Sequence, residues 1–365
     1  MKLLLIIFSV LMPLISRAQI ATASFDRSML SINPAAAATR EIKQVALFET
    51  FKNSKSNLDQ ERDDSANAPW VDKTSINRFG TFLTGGHSGF TPELYLSMDH
   101  GERSLSLDEG SAQKQTSKTD MINNMLNLAF TVDPNLALGL KFYAPSYSYT
   151  ENYEFTYADN KTIKQRLEHH SNIIGLGTGL SMHLINKIYL GAYYVNNTDK
   201  STYKTNYTYT DGNVSKSYSK KNLQYAKYGA ALSYLYGHRS NGARFELGYS
   251  KMRSPSQNKL QDGEEILTNL EISVNRITFG VNAKLRKNYY LDHTELMEYI
   301  VGERQVTRNF SPFYAGFISF GSEKGHTIGA SILYVNSKGT KEILGQSEAA
   351  KTKLTGITVD YAYLY

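Results

Sequence analysis

The chain has 365 residues, no Cys and a formal net charge of +6. Without Cys, neither disulfides nor a thiolate-bound metal can hold it, and the modest charge gives no support for a nucleic-acid partner. Its 26 Tyr, 16 Phe and 26 Gly against only 8 Pro, with a polar mean hydropathy, are unlike a soluble core, which would favour Leu, Ile and Val. They suit a barrel with aromatic girdles and small or polar residues facing a lumen.

The first residues read as an export signal. Met1-Lys2 is a short positive start, Leu3 to Ile15 is mostly apolar, and Ser16-Arg17-Ala18 places small residues before a cut ahead of Gln19. The apolar run falls short of the roughly 20 residues a membrane helix needs, and no second long apolar run follows. Three parts are therefore expected, a signal peptide at 1–18, a small N-terminal segment at 19–41 and a barrel at 42–365. Loss of Lys2 and Arg17 lowers the charge from +6 to +4.

Ile20 to Arg40 does not alternate. Asn33-Pro34 followed by Ala35 to Ala38 has the pattern of a short capped helix. From Ile42 onward the recurring unit is a period-two run bounded by turn residues, in which alternate side chains face opposite sides. The clearest pair puts Leu126, Leu128, Phe130 and Val132 on one face, turns at Asp133-Pro134-Asn135, and resumes with Leu136, Leu138, Leu140 and Phe142. A second pair alternates Ile174, Leu176, Leu180, Met182 and Leu184 with Gly175, Gly177, Gly179 and Ser181, then turns at Asn186-Lys187 into Leu190, Ala192 and Tyr194.

Further strands are expected at 42–52, 75–85, 93–100, 223–236, 243–252, 268–285, 289–300, 310–320, 326–336 and 351–365. The fold class is thus all-β, a transmembrane antiparallel barrel of about 14 strands with a small N-terminal hatch. Short turns near 133–135, 185–187, 237–242, 286–288 and 322–325 contrast with long polar loops near 53–74, 101–120, 145–168, 197–221, 253–267 and 337–350. That asymmetry belongs to outer-membrane barrels, and some of the long segments, such as Tyr147 to Tyr157, are candidates to continue as strands above the membrane. Gly85, Gly86 and Pro92 interrupt 75–100, either as a hairpin turn or as a strand kink where the wall could open sideways. The closing run alternates Ile357, Val359, Tyr361, Tyr363 and Tyr365 with Thr358, Asp360, Ala362 and Leu364. It resembles the C-terminal signal of barrels inserted by the bacterial assembly machinery.

Motifs for chemistry are weak. Gly175-Leu176-Gly177-Thr178-Gly179 opens no helix, so its glycines make room in the lumen rather than bind a nucleotide. Gly321 to Gly325 reads as a turn. His169-His170, as neighbours on a strand, point to opposite faces and suit one metal poorly; a solvated loop position is expected. Asp63-Asp64 and Glu264-Glu265 are solvated charge, with Ca²⁺ binding alongside lipid phosphates as the alternative. No Ser, His and Asp spacing marks a nucleophile and base. No enzymatic activity, cofactor or metal is expected.

The triplet Asn33-Pro34-Ala35, placed shortly before the first strand, resembles the hatch motif of the outer-membrane long-chain fatty acid and toluene transporter family. The resemblance extends to the strand number and the closing strand. It implies a barrel in the bacterial outer membrane that takes up a hydrophobic small molecule, such as a long-chain fatty acid, through a hatch-plugged lumen. Implied partners are membrane lipids, lipopolysaccharide, the hydrophobic ligand and the barrel-assembly machinery. The segment is also similar to one in secretion-associated barrel proteins of gliding bacteria. An open pore for small polar solutes and a structural or secretion-associated barrel that binds proteins therefore stand as alternatives.

Overall fold

The computed structural model describes residues 33–39, 44–59, 70–86, 89–106, 114–156, 162–185, 187–210, 212–238, 241–253, 263–287, 303–306, 311–321, 325–343 and 346–364. The expected signal peptide, Asp63-Asp64, the strand at 289–300 and Tyr365 lie outside them. A 3-10 helix, Pro34–Thr39, precedes sixteen strand segments: β1 (Gln44–Asp59), β2 (Trp70–Thr84), β3 (Phe90–Ser106), β4 (Lys114–Asp133), β5 (Leu136–Tyr143), β6 (Ser146–Thr156), β7 (Thr162–Ile185) and β8 (Ile188–Tyr209), then β9 (Val214–His238), β10 (Asn241–Arg253), β11 (Gly263–Val274), β12 (Ile277–Lys287), β13 (Glu303–Val306), β14 (Ser311–Gly321), β15 (Gly325–Ile343) and β16 (Gln346–Leu364).

Neighbours in sequence pair antiparallel, and β16 pairs with both β15 and β1, which closes the sheet into a barrel. Closure leaves no unpaired edge, the condition for a sheet to exist in lipid. β5 and β6 are two halves of one strand. Both lie on β4 and β7 in an unbroken register, split only at Ala144-Pro145, where Pro145 supplies no ladder donor. β13 and β14 likewise share one flank of β15. The barrel therefore has 14 strand positions.

Side-chain alternation fixes its two faces. Leu138, Leu140, Phe142, Ile174, Leu176, Leu232, Phe245, Leu247, Val281 and Ile332 are all exposed on the outer face. Between them, Ala137, Asn127, Ser181, Ala231, Glu246 and Asn282 point inward and are buried. So large an exposed apolar surface is unlike a water-soluble exterior and has the outward apolar band of membrane barrels.

Two expectations about connections need correction. The run 268–285 is not one strand: β11 and β12 meet at Asn275-Arg276, with Asn275 at φ 55 and its N–H bonded to Asn241 Oδ1 at 3.1 Å. Asn tolerates this left-handed turn without Gly or Pro, so apolar alternation passes through it unbroken. Of the short turn expected at 286–288, Arg286 and Lys287 belong to β12, and residue 288 lies outside the described residues. Most of the long polar loops are also strand. β8 and β9 stay paired from Ile188↔Tyr234 to Thr208↔Val214, well past the apolar band. Their outer face there is polar because it no longer meets lipid.

Candidate functional site

The 3-10 helix packs against β3, β4, β5, β7 and β8. It lies on the concave side, because it covers the buried face of residues whose neighbours Leu138, Leu140 and Leu176 point outward. Two glycines receive it. A Cβ on Gly139 would fall 2.2 Å from the Ala35 nitrogen, and one on Gly179 would fall 1.9 Å from Asn33 Oδ1. Any side chain at either position would push the segment off the wall.

Asn33 makes the attachment. Its Nδ2 donates to the Leu180 carbonyl at 2.8 Å, while Oδ1 accepts from the Ala35 N–H at 3.0 Å. The Ala36 N–H donates to the Asn33 carbonyl at 3.1 Å. One side chain thus caps the helix and ties it to the barrel wall. Asn33 and Ala35 are 0% exposed, so water is excluded at this contact. The alanines behind Pro34 are the side chains small enough for backbone to lie this close.

Going toward the long-connection end, the next inward row is polar. Registers align Glu93, Asn127, Lys141, Gly177, Val195 and Lys227 across β3, β4, β5, β7, β8 and β9. Asn127 Nδ2 donates to Glu93 at 3.1 Å. Farther along, Arg78 grips Asp99 with two bonds, one of them at 2.7 Å from Nε. Asp99 also accepts from Ser97 at 3.2 Å, and Ser97 from Asn123 at 3.1 Å. Asp199 accepts from Ser171 at 2.5 Å and Ser201 at 2.7 Å. On another part of the wall Arg244 meets Glu246 at 3.1 Å and Glu271 at 3.5 Å. Buried charges are costly unless paired or hydrogen-bonded: Arg78 and Arg244 are paired with carboxylates, while Asp199 is held by two hydroxyls.

An aromatic group shares these rows, with Asp99, Met121, Tyr147, Ser171 and Ser201 aligned across β3, β4, β6, β7 and β8. Tyr147, Tyr149, Leu167 and Ile173 cluster on the inner face with Met121 and Tyr143. His169 stacks on Tyr203 with centroids 4.3 Å apart and meets Tyr147 edge-on at 5.4 Å. Tyr149 donates its hydroxyl to Glu151. The rings lie within 121–203, in segments rich in Ser, Thr and Lys.

The expected sites fall as follows. Asn33, Pro34 and Ala35 come together inside the barrel. Gly85 and Gly86 lie in the β2–β3 connection, with Gly86 at φ 127, and the Gly85 N–H donates to the Pro92 carbonyl at 3.1 Å. They turn the chain, and Pro92 stands within β3 opposite Leu128. Tyr361 and Tyr363 lie in β16, opposite Glu49 and Leu47 of β1. His169-His170 corrects an expectation, for the pair is in β7 rather than a solvated loop, with His169 buried inward and His170 exposed. Glu264-Glu265 is strand too, at the start of β11. Among the described residues no group of three or more His, Cys, Asp or Glu is placed to hold a metal ion. Sequence reasoning missed the aromatic group. The stretch from Tyr147 is strand, in line with the expectation for Tyr147 to Tyr157, but nothing in the sequence brings His169 and Tyr203 to it.

Against solved structures, the chain superposes on a Pseudomonas aeruginosa FadL homologue with a TM-score of 0.64 and 11% identity, over 94% of this chain and 95% of that one. The chain has the FadL-like barrel fold. The Pseudomonas putida toluene transporter TodX aligns at a TM-score of 0.60 and 10% identity, over 96% of this chain and 97% of that one. The Ralstonia pickettii toluene transporter TbuX aligns at 0.56 and 11%, over 98% and 99%. No protein-family model matches the sequence, and no curated protein does. With identities this low, the FadL-like likeness is one of barrel fold rather than of shared side chains.

Proposed function

We propose that this protein is an outer-membrane channel for hydrophobic small molecules, with residues 19–41 as the hatch of its lumen. The observation that carries the reading is the seat of Asn33 to Ala37 on Gly139 and Gly179, buried against the inner wall. A general porin has no need of such a seat. The barrel neighbours named as toluene transporters support a hydrophobic solute class, and a long-chain fatty acid is the finer possibility tested below.

In this reading, the outward apolar band sits in lipid and the long-connection end faces outside the cell. Removal of the 1–18 signal peptide precedes insertion by the barrel-assembly machinery, with membrane lipids and lipopolysaccharide around the folded wall. The solute enters among the long connections and partitions onto Tyr147, Tyr149, His169, Tyr203, Leu167 and Ile173. An aromatic surface of this kind attracts apolar molecules without specifying one, as ligand pockets generally combine apolar walls with a few polar groups. The bonded polar groups beside it offer little to a hydrocarbon. Release passes the hatch, or goes sideways near Gly85, Gly86 and Pro92, where β3 lacks one ladder donor. The protein works as a conduit and catalyses no reaction.

Binding of a labelled long-chain fatty acid, with toluene as competitor, tests the reading on mature protein in lipid nanodiscs. Binding is expected, and Tyr203→Ala should weaken it about three- to tenfold, since one aromatic contact contributes roughly 0.5–1.5 kcal/mol. A correctly folded barrel that binds neither compound contradicts the proposal.

A further inference from the structure

The outer face of the β8–β9 hairpin, above the apolar band, carries four lysines and no carboxylate of its own. Outward residues on β8 there are Asn196, Thr198, Lys200, Thr202, Lys204, Asn206 and Thr208; on β9 they are Val214, Lys216, Tyr218, Lys220, Asn222, Gln224 and Ala226. No carboxylate is among them. Lys204 is directly opposite Tyr218 on β9 and Glu168 on β7, Lys220 opposite Thr202, Lys216 opposite Asn206 and Lys200 opposite Asn222. The order Lys216, Lys204, Lys220, Lys200 is therefore a chain of diagonal cross-strand neighbours, each step about 7–8 Å. All four are exposed. Among the described residues, no carboxylate lies within ion-pair distance of Lys200, Lys204 or Lys216, and Lys220 lies 5.9 Å from the Tyr218 ring centroid.

The position matters as much as the charge. On β7, Ile174 is the last outward apolar residue, 56% exposed; the next outward residue, Asn172, is directly opposite Lys200. Lys200 thus begins the ladder one outward step beyond the lipid-facing surface of its neighbour, at the level of headgroups. The β3–β4 face above the band is different. There Lys118 bonds Glu102 at 2.9 Å, and His100 bonds Asp120 at 2.7 Å. The hydrogen bond from Lys118 holds the Glu102 carboxyl below its usual range. That face satisfies its own charges. On β7, Lys164 and Arg166 are similarly paired with Glu154 and Glu168, at 3.2 and 3.1 Å.

We propose that the β8–β9 lysine ladder binds the phosphates of an anionic outer-leaflet lipid headgroup. Basic side chains gathered at the headgroup level attract anionic lipid, and four ammonium groups whose facing carboxylate, Glu168, is bonded instead to Arg166 leave phosphate as the complementary ion. The diagonal spacing of about 7–8 Å lets one phosphate-bearing headgroup lie along several lysines at once. This inference rests on the membrane-barrel reading above. Lysines on a projecting hairpin also discourage edge-to-edge pairing, a role that needs no lipid, so the test separates the two.

The mature protein is inserted into phosphatidylcholine vesicles doped with diphosphoryl lipid A, extracted in mild detergent, and the retained lipid A measured by mass spectrometry. Insertion is scored first by protease protection; a wild-type barrel that stays outside the bilayer overturns the membrane reading itself. For an inserted barrel, the wild type is expected to retain lipid A. The variant Lys200→Gln, Lys204→Gln, Lys216→Gln, Lys220→Gln should retain severalfold less, and Lys118→Gln on the self-paired face should match the wild type. High salt should remove the difference. The milder pair Lys200→Gln, Lys220→Gln gives the same reading if the fourfold variant does not fold. Equal retention by the lysine variants, or equal retention of dephosphorylated lipid A, overturns the proposal. A variant that aggregates yet retains lipid A as the wild type does assigns the lysines to edge protection.

Discussion

Asn33 donates its side-chain amide to the Leu180 carbonyl at 2.8 Å across 147 residues of sequence. One polar side chain thereby joins the segment ahead of the barrel to the strand that forms its inner wall. The same side chain caps the 3-10 helix through the Ala35 N–H. Asn33→Ala removes both bonds and costs the segment about 1–2 kcal/mol. The barrel keeps every strand pairing, so its unfolding midpoint should stay the same while brief conducting events become more frequent in a planar bilayer.

The glycines beneath the segment are a sharper probe. Gly179→Val or Gly139→Val places atoms where Asn33 and Ala35 now lie, at 1.9 and 2.2 Å from an added Cβ. Both variants should insert, and both should let small polar solutes leak from vesicles faster than the wild type. Gly316→Ala is the control, because nothing lies within 4 Å of its added Cβ. Leakage equal to that of the control would remove the seat from the account.

The membrane placement is tested on the outer face. Val281 is 57% exposed on β12. Val281→Arg should lower unfolding free energy in lipid vesicles by about 2–4 kcal/mol if the site is near the bilayer midplane. Asn222→Arg, above the band, should change it little. Equal effects at the two positions would mean that the apolar face does not sit in lipid.

Closure supplies a further expectation. β16 pairs with β1 from Ala46↔Leu364 and with β15 from Gly325↔Leu364. Removal of residues 361–365 shortens both ladders at once and opens the barrel at its seam. Membrane insertion should be lost, read as disappearance of the heat-modifiable folded band on a gel.

Legibility in the sequence follows the solvent around each strand. Within the band, lipid demands an apolar residue at every second position, so the hairpins at Leu126 to Phe142 and at Ile174 to Tyr194 could be read directly. Beyond the band both faces are polar and the alternation fades, so the far halves of β7, β8 and β9 read as loop, and only Tyr147 to Tyr157 is expected to continue as strand, as β6 does. The aromatic group of Tyr147, Tyr149, His169 and Tyr203 was hidden for that reason. The strand number of about 14 was reached partly by offset. Joining β11 to β12 through Asn275-Arg276 lost one strand, and the run at 289–300, outside the described residues, added one. The Asn33-Pro34-Ala35 site was legible as a capped helix, but its seat was not, because Gly139 and Gly179 meet it only after the barrel closes.

The central claim is that residues 19–41 obstruct the lumen of a membrane barrel, and single-channel recording of the refolded mature protein in a planar bilayer tests it most directly. The intact barrel should pass little current, and deletion of residues 20–40 should produce frequent openings while insertion stays normal. Large, steady currents from the intact protein, or conductance unchanged by the deletion, would contradict the claim and return the open polar pore as the leading reading.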